Sequence, residues 1–262
     1  SDLPGTLMPS KERYDRSREV IQILKQAWNQ NEINFQGNYY NFNLPSSPVK
    51  PYQQNGGPLL YFGGYSAEGV DLCAEFCDVY LMWPDTEEKL KVLISKMLSK
   101  AAEYNRTVQF GLRVHVIVRE TENEAKAYAN KLISKLDLKI GEDIKDRALD
   151  SKSLGVSKQT SLREKADKEY YAEPHLWTGI GLARSGCGAA IVGNPEQVFN
   201  KIKRYIDMGI NAFILSGYPH HQECKLFAKY VLPKLKNVHL PEVLGRVPKK
   251  TPHTPLGNGP RE

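Results

Sequence analysis

The sequence predicts an α/β chain built on a parallel sheet, and three observations predict it. Compact apolar runs stand at residues 59–62, 79–82, 110–118 and 212–215. Several of these runs stop at a turn, as Phe62 does at Gly63-Gly64, and helical periodicity follows. The order strand then helix repeats along the chain, which is the pattern of βαβ units. About four such strands make either an open sheet or the later part of a closed (β/α) barrel, which needs eight.

The elements follow in order. Pro9-Ser10 reads as a helix entry with Ser10 as N-cap, and Val20, Ile21, Leu24, Ala27 and Trp28 carry its apolar stripe. Ile33 and Phe35, then Tyr40 and Phe42, alternate about Gly37-Asn38 and predict a hairpin. Residues 44–58 read as loop. A helix is expected from about Ser66 to Cys77, and another along Leu90, Leu93, Ile94, Met97, Leu98 and Ala101. Thr121 and Glu124 form a capping-box pattern before Ala125, Tyr128, Leu132 and Ile133. Residues 138–180 break the rhythm: the segment is polar and weakly periodic, as lids often are. Asn194-Pro195 opens a further helix that Gly209 stops, and a last helix runs from about His220 to Leu235. The chain is expected to divide into residues 1–240, a partial barrel, and residues 241–262, an irregular tail.

Composition narrows the function classes. The chain has 262 residues, 40% of them apolar, and a net charge of +6, with Lys234, Lys236, Arg246, Lys249, Lys250 and Arg261 crowding one end. No basic stripe interleaves with aromatics, so nucleic acid is not the expected partner. No apolar run approaches the roughly 20 residues that span a bilayer, so no membrane is expected either. No secretory signal is visible, and a chain that opens on Ser1 reads as an excerpt or a processed end. Cys73, Cys77, Cys187 and Cys224 lack zinc spacing, so no metal is expected, and a reduced, cytoplasmic setting is the simplest reading.

Residues that could carry chemistry gather at the strand ends. Arg113 and His115 stand two apart in the third strand and share one face, while Leu112, Val114 and Val116 take the other. A buried Arg and His need either a site to serve or structural partners. Trp83 follows the second strand, at the rim where barrel active sites lie, and either walls a pocket or simply packs. Gly63-Gly64-Tyr65-Ser66 joins strand to helix and offers an anion a close approach at a helix N-terminus, although many strand–helix turns contain glycine. Tyr218 and His220 follow the last strand as donors or acid–base groups, unless His220 is only a cap. Arg184, among Gly181, Gly186 and Gly188, is either a clamp for an anion or a solvated loop residue.

These segments together resemble the alkanesulfonate monooxygenases of the bacterial-luciferase-like superfamily. The resemblance runs through Tyr61-Phe62-Gly63-Gly64, the strand from Phe110 to Glu120 and Leu176-Trp177-Thr178-Gly179. It continues through Arg184 and the turn Ser216-Gly217-Tyr218-Pro219-His220. It implies the C-terminal part of a (β/α)8 TIM barrel with an inserted lid. It implies that reduced FMN, delivered by an NAD(P)H-dependent flavin reductase, and O2 cleave the carbon–sulfur bond of an alkanesulfonate to sulfite and an aldehyde. Trp83, Arg113, His115, Arg184, Tyr218 and His220 would line the active site, with Gly63, Gly64, Tyr65 and Ser66 on the flavin. The full-length protein would be a homo-oligomer. Ser1-Asp2 matches a point after the family's fourth strand, so the expectation for residues 1–262 alone is no turnover. Pro84-Asp85-Thr86 and Ser185-Gly186-Cys187 depart from the usual loops and open the substrate question. The competing readings are a flavin monooxygenase acting on another organosulfur compound and a non-catalytic half-barrel remnant.

Overall fold

The computed structural model describes residues 9–47, 49–147 and 153–250. Helix α1 (Ser10–Asn29) leads into the antiparallel hairpin β1 (Glu32–Gln36) and β2 (Asn41–Pro45). Then come β3 (Tyr61–Phe62), α2 (Ala67–Phe76), β4 (Val79–Met82), α3 (Glu87–Glu103), β5 (Gln109–Val118) and α4 (Glu122–Ile133). Two helices, α5 (Leu138–Asp146) and α6 (Leu154–Glu164), precede a small hairpin of β6 (Tyr171–Glu173) and β7 (Leu176–Trp177). A 3-10 turn (Gly179–Leu182) leads to β8 (Ala190–Gly193), α7 (Pro195–Asp207), β9 (Ile210–Ser216), α8 (His220–Tyr230) and the single turn α9 (Leu240–Val243).

The long strand β5 organises the sheet. Its first half pairs in parallel with β4, its last residues pair in parallel with β8, and β9 runs parallel to it from Phe110 to His115. A strand has two edges, and β9 overlaps both other partners in register. So β4 and β8 share one edge of β5, and β9 takes the other. With β3 parallel to β4, the expected parallel order β3-β4-β5-β9 is present.

The side-chain alternation follows from burial. Leu112, Val114 and Val116 lie in the main core with Leu90, Met97, Val198 and Ile202 from the covering helices. Arg113 and His115 therefore face the other way, into the concave side of a half-barrel.

Local chemistry fixes the helix ends. Ser66, Thr86 and Ser153 each accept a backbone N–H at a helix start, and Thr121 and Asn194 complete reciprocal capping boxes with Glu124 and Gln197. Three expectations change. Pro9, not Ser10, holds the N-cap position of α1, so Ser10 is already helical. Among the described residues the parallel strands number five, because β8 was not foreseen: a four-residue run of small and apolar residues beside glycines has no period to read. Within 138–180 the chain forms α5, α6 and a hairpin rather than a loop, and exposed apolar residues remain at Leu138, Ile140 and Ile144 in α5 and at Leu154 in α6. Of the expected tail, residues 241–250 are described. Arg246 donates to Asp78 at 2.6 Å and to the Gly57 carbonyl at 2.7 Å, which ties the chain at that point to the body; 251–262 lie outside the described residues.

Candidate active site

The concave end of β5 meets the end of β9 at His115, whose register partner is Ser216. The Ser216 hydroxyl lies 2.7 Å from His115 Nδ1, and Nε2 lies 3.2 Å from the Cys187 carbonyl. A carbonyl only accepts, so Nε2 carries the hydrogen and Nδ1 accepts from Ser216. His115 is 1% exposed. Burial, with Arg184 and Arg113 nearby, holds its pKa down to about 4, so the ring is neutral near pH 7. Both nitrogens are engaged.

Around this neutral ring stand two cations. Neither Arg113 nor Arg184 pairs with a carboxylate among the described residues. Arg184 donates to the Tyr218 hydroxyl and to the Ser185 carbonyl. Tyr218 sits 5.5 Å from the His115 ring and 4.9 Å from His220, centroid to centroid. The Cys187 thiol donates to the Arg113 carbonyl at 3.3 Å, and burial pushes it up to about 11, so it stays protonated. Arg113, His115, Arg184, Tyr218 and His220 thus form one cluster. His220 is its outer member: it is exposed, opens α8, and lines a small cavity of about 200 Å³ on the helix side, with Glu223.

The other foreseen residues line a neighbouring cavity of about 530 Å³ at the ends of β3 and β4. Gly63, Gly64, Tyr65, Ser66 and Trp83 all face it. The Tyr65 hydroxyl accepts from the Trp83 backbone N–H at 2.7 Å, and burial pushes the phenol well up. Gly64 has no room for a side chain, since a Cβ would stand 2.9 Å from the Phe62 ring. The two groups meet at Gly186, where a Cβ would lie 3.7 Å from Arg184 Nη2 and 3.9 Å from the Trp83 ring.

Several contributors escaped the sequence reading. Ser10, Arg13 and Tyr14 reach the cavity from α1, and Leu154 and Gly155 from α6. The Tyr218 turn is held from behind: Tyr128 donates to the Tyr218 carbonyl at 2.9 Å, and Arg119 stacks on the Tyr128 ring at 3.8 Å. Arg119 also grips Glu223 through both carboxylate oxygens at 2.7 and 3.0 Å. Only Ser216 had a legible signal, as the strand-end residue of the last parallel strand. The rest are set by tertiary packing.

Comparison with known proteins decides the family. The luciferase-like monooxygenase family matches residues 4–212. The chain belongs to the luciferase-like monooxygenase family. It is 54% identical to a sulfoquinovose monooxygenase of Agrobacterium fabrum across all of this chain and 68% of that protein. It is 49% identical to a sulfoquinovose monooxygenase of Novosphingobium aromaticivorans, over 90% of this chain and 65% of the relative. A solved riboflavin lyase with modified FMN and riboflavin superposes with a TM-score of 0.68 at 14% identity, over 95% of this chain and 61% of that one. The chain thus spans about two thirds of the curated relatives' length, and the structural likeness shows the fold. Among the described residues no His, Cys, Asp and Glu gather into a metal-binding group, and no helix is long and apolar enough to cross a membrane.

Proposed function

We propose that the protein containing this chain is a reduced-FMN-dependent monooxygenase that cleaves the carbon–sulfur bond of an organosulfonate. One observation carries the reading: Arg113 and Arg184, free of carboxylate partners among the described residues, flank a neutral His115 beside the Tyr218 hydroxyl. Two guanidiniums and a phenol suit a sulfonate, whose planar oxygen pairs match the fork of an arginine. The substrate is a sulfonated sugar of the sulfoquinovose kind rather than a simple alkanesulfonate. The names and identity of the two relatives support that choice, and the loop departures at Pro84-Asp85-Thr86 and Ser185-Gly186-Cys187 set the chain apart from the alkanesulfonate enzymes without naming a sugar.

The residues of the 530 Å³ cavity fit FMN. Gly63 and Gly64 let the backbone come close, Ser66 caps α2, Arg13 supplies a cation for a phosphate, and Tyr65 and Trp83 supply flat walls. When bound, reduced FMN supplies the electrons that activate O2. One sulfonate, one O2 and one reduced FMN then leave sulfite, an aldehyde, water and oxidised FMN. Arg113 and Arg184 hold the sulfonate and stabilise the negative charge that grows as sulfite leaves. His115 does not titrate near pH 7; with both nitrogens occupied it ties β5 to β9 and to the Cys187 backbone. Tyr218 keeps Arg184 turned inward. Gly186 takes a backbone turn at φ +90° where Trp83 and Arg184 come together, and those two side chains shut out water. A flavin reductase is the expected electron supplier.

The test is sulfite release with reductase, NAD(P)H, FMN and air, comparing sulfoquinovose with short alkanesulfonates. Release from sulfoquinovose at a kcat/KM well above that of the alkanesulfonates supports the reading. Equal or better use of alkanesulfonates would remove the sugar, and no sulfite from any sulfonate would remove the reaction.

A further inference from the structure

Helix α6 buries one face whose composition is unusual: Gly155, Gln159 and Leu162, at spacings of four and three residues. Each meets a different part of the site. Gly155 lies so close to Trp83 that a Cβ would stand 2.8 Å from its ring and 3.4 Å from Tyr65. Leu162 packs with Leu176 and Ala189. Between them the Gln159 carboxamide is 7% exposed and makes two bonds to backbone. Its Nε2 donates to the Pro84 carbonyl at 2.7 Å, and its Oε1 accepts from the Gly188 N–H at 3.0 Å.

We infer that Gln159 is a positioning residue that locks α6, the Trp83-Pro84 turn and the Arg184–Gly188 loop into one unit. The inference rests on the sulfonate-cleaving reading of the site, because its consequence is that Trp83 and Arg184 reach their places together. The geometry is specific to a carboxamide. One side must donate to a carbonyl and the other must accept from an N–H, and no other uncharged side chain of this length does both. The bonds are made to backbone one residue beyond Trp83 and four beyond Arg184, so the amide fixes the stems of both side chains without touching substrate. With it in place, the loop that carries the clamp arginine is tied to the helix that covers the flavin cavity. Without it, Pro84 O and Gly188 N–H are left buried and unpaired, and the loop swings to find water.

The test uses three variants of the full protein. Gln159→Leu keeps the bulk and removes both bonds. Gln159→Glu keeps the acceptor, but donates to Pro84 O only while its carboxyl is protonated. Ser157→Ala, on the exposed side of α6, is the control. The expected result for Gln159→Leu is about tenfold less sulfite per FMN oxidised, with flavin oxidation itself sustained, and about tenfold faster amide exchange in the 184–189 segment. Exchange in β5 should be unchanged. Gln159→Glu should approach wild-type coupling at acid pH and lose it, relative to wild type at each pH, as the introduced carboxyl ionises. A mere packing role gives no such pH profile. Wild-type coupling in Gln159→Leu at every pH, or unchanged exchange at 184–189, would overturn the inference. The exchange measurement needs no turnover, so absence of sulfite from the wild type would sink the reaction and leave the role of Gln159 to be decided by exchange alone.

Discussion

Two regions meet at Gly186 and are built differently. The β5–β9 strand ends hold His115, Ser216 and Tyr218 through short bonds within the sheet and the turn behind it. The 138–188 segment brings Gly155 and Gln159 from one helix, α6, and Arg184 from a glycine-rich loop, and Gln159 ties them together through two backbone contacts. The first region fixes chemistry on a rigid edge; the second covers it and can be loosened without unfolding the sheet. Stability should therefore follow the first, and coupling of flavin oxidation to sulfite release the second.

The largest expected effect lies at the two arginines, one from each region, that the proposed function sets on a single sulfonate. Arg113→Ala and Arg184→Ala should each lower sulfite release about 100-fold at saturating reduced flavin, the loss typical of a missing charge-stabilising donor. Lysine should restore only part, lacking the planar fork. Melting should stay close to wild type, because neither guanidinium is held in an ion pair among the described residues. A melting loss matching the activity loss would show these arginines to be structural.

His115 sharpens the rigid side. Its folded pKa of about 4 lies below the ordinary 6.5, so between those values the unfolded chain binds more protons than the folded one. The stability it contributes is present above pH 6.5 and is lost as pH falls toward 4, on the order of 3 kcal/mol in all. Urea midpoints across that window should fall in the wild type and fall less in His115→Asn. Parallel curves would place the pH dependence elsewhere.

Tyr128→Phe should be milder. It removes the bond to the Tyr218 carbonyl and keeps the ring under Arg119. About 1 kcal/mol of stability is at stake, the usual worth of one such bond. Denaturation should register the loss while the ratio of sulfite to flavin oxidised holds. Uncoupling without destabilisation would blur the division between the regions.

On the covering side, Gly186 sits at φ +90° with space around it, so Gly186→Ala strains only the backbone, by about 1 kcal/mol. Sulfite yield per flavin should drop several-fold at nearly constant melting temperature. Smallest of all is Ile140→Ser on the exposed face of α5, expected within about 0.5 kcal/mol of wild type.

The same contrast decides what could be read without coordinates. Arg113 and His115 were legible because period two in a long strand puts alternate residues on one face, and charged residues opposite Leu112, Val114 and Val116 stand out. Tyr218, His220 and Trp83 were legible because they follow strands directly. Gln159 and Gly155 were not. They sit in a weakly amphipathic helix, and their meaning comes from Pro84, Gly188 and Trp83, residues far away in sequence. Arg119, Tyr128 and Glu223 were hidden for the same reason, and β8 was too short to show a period. The substrate lay furthest from view: the strand-end residues speak for a sulfonate, while the bridging loops that shape the rest of the pocket carry no rule that names a sugar.

Arg113 and Arg184, which have no carboxylate partner among the described residues, make the proposed sulfonate site, and a binding titration probes it without turnover. Under anaerobic conditions with reduced FMN, titrate the full protein with sulfoquinovose and with glucose, then repeat with Arg113→Ala and Arg184→Ala. The expected result is saturable binding of the sulfonated sugar, none of the neutral one, and loss of binding in both variants. Comparable binding of glucose, or sulfoquinovose affinity unchanged in both variants, would contradict it.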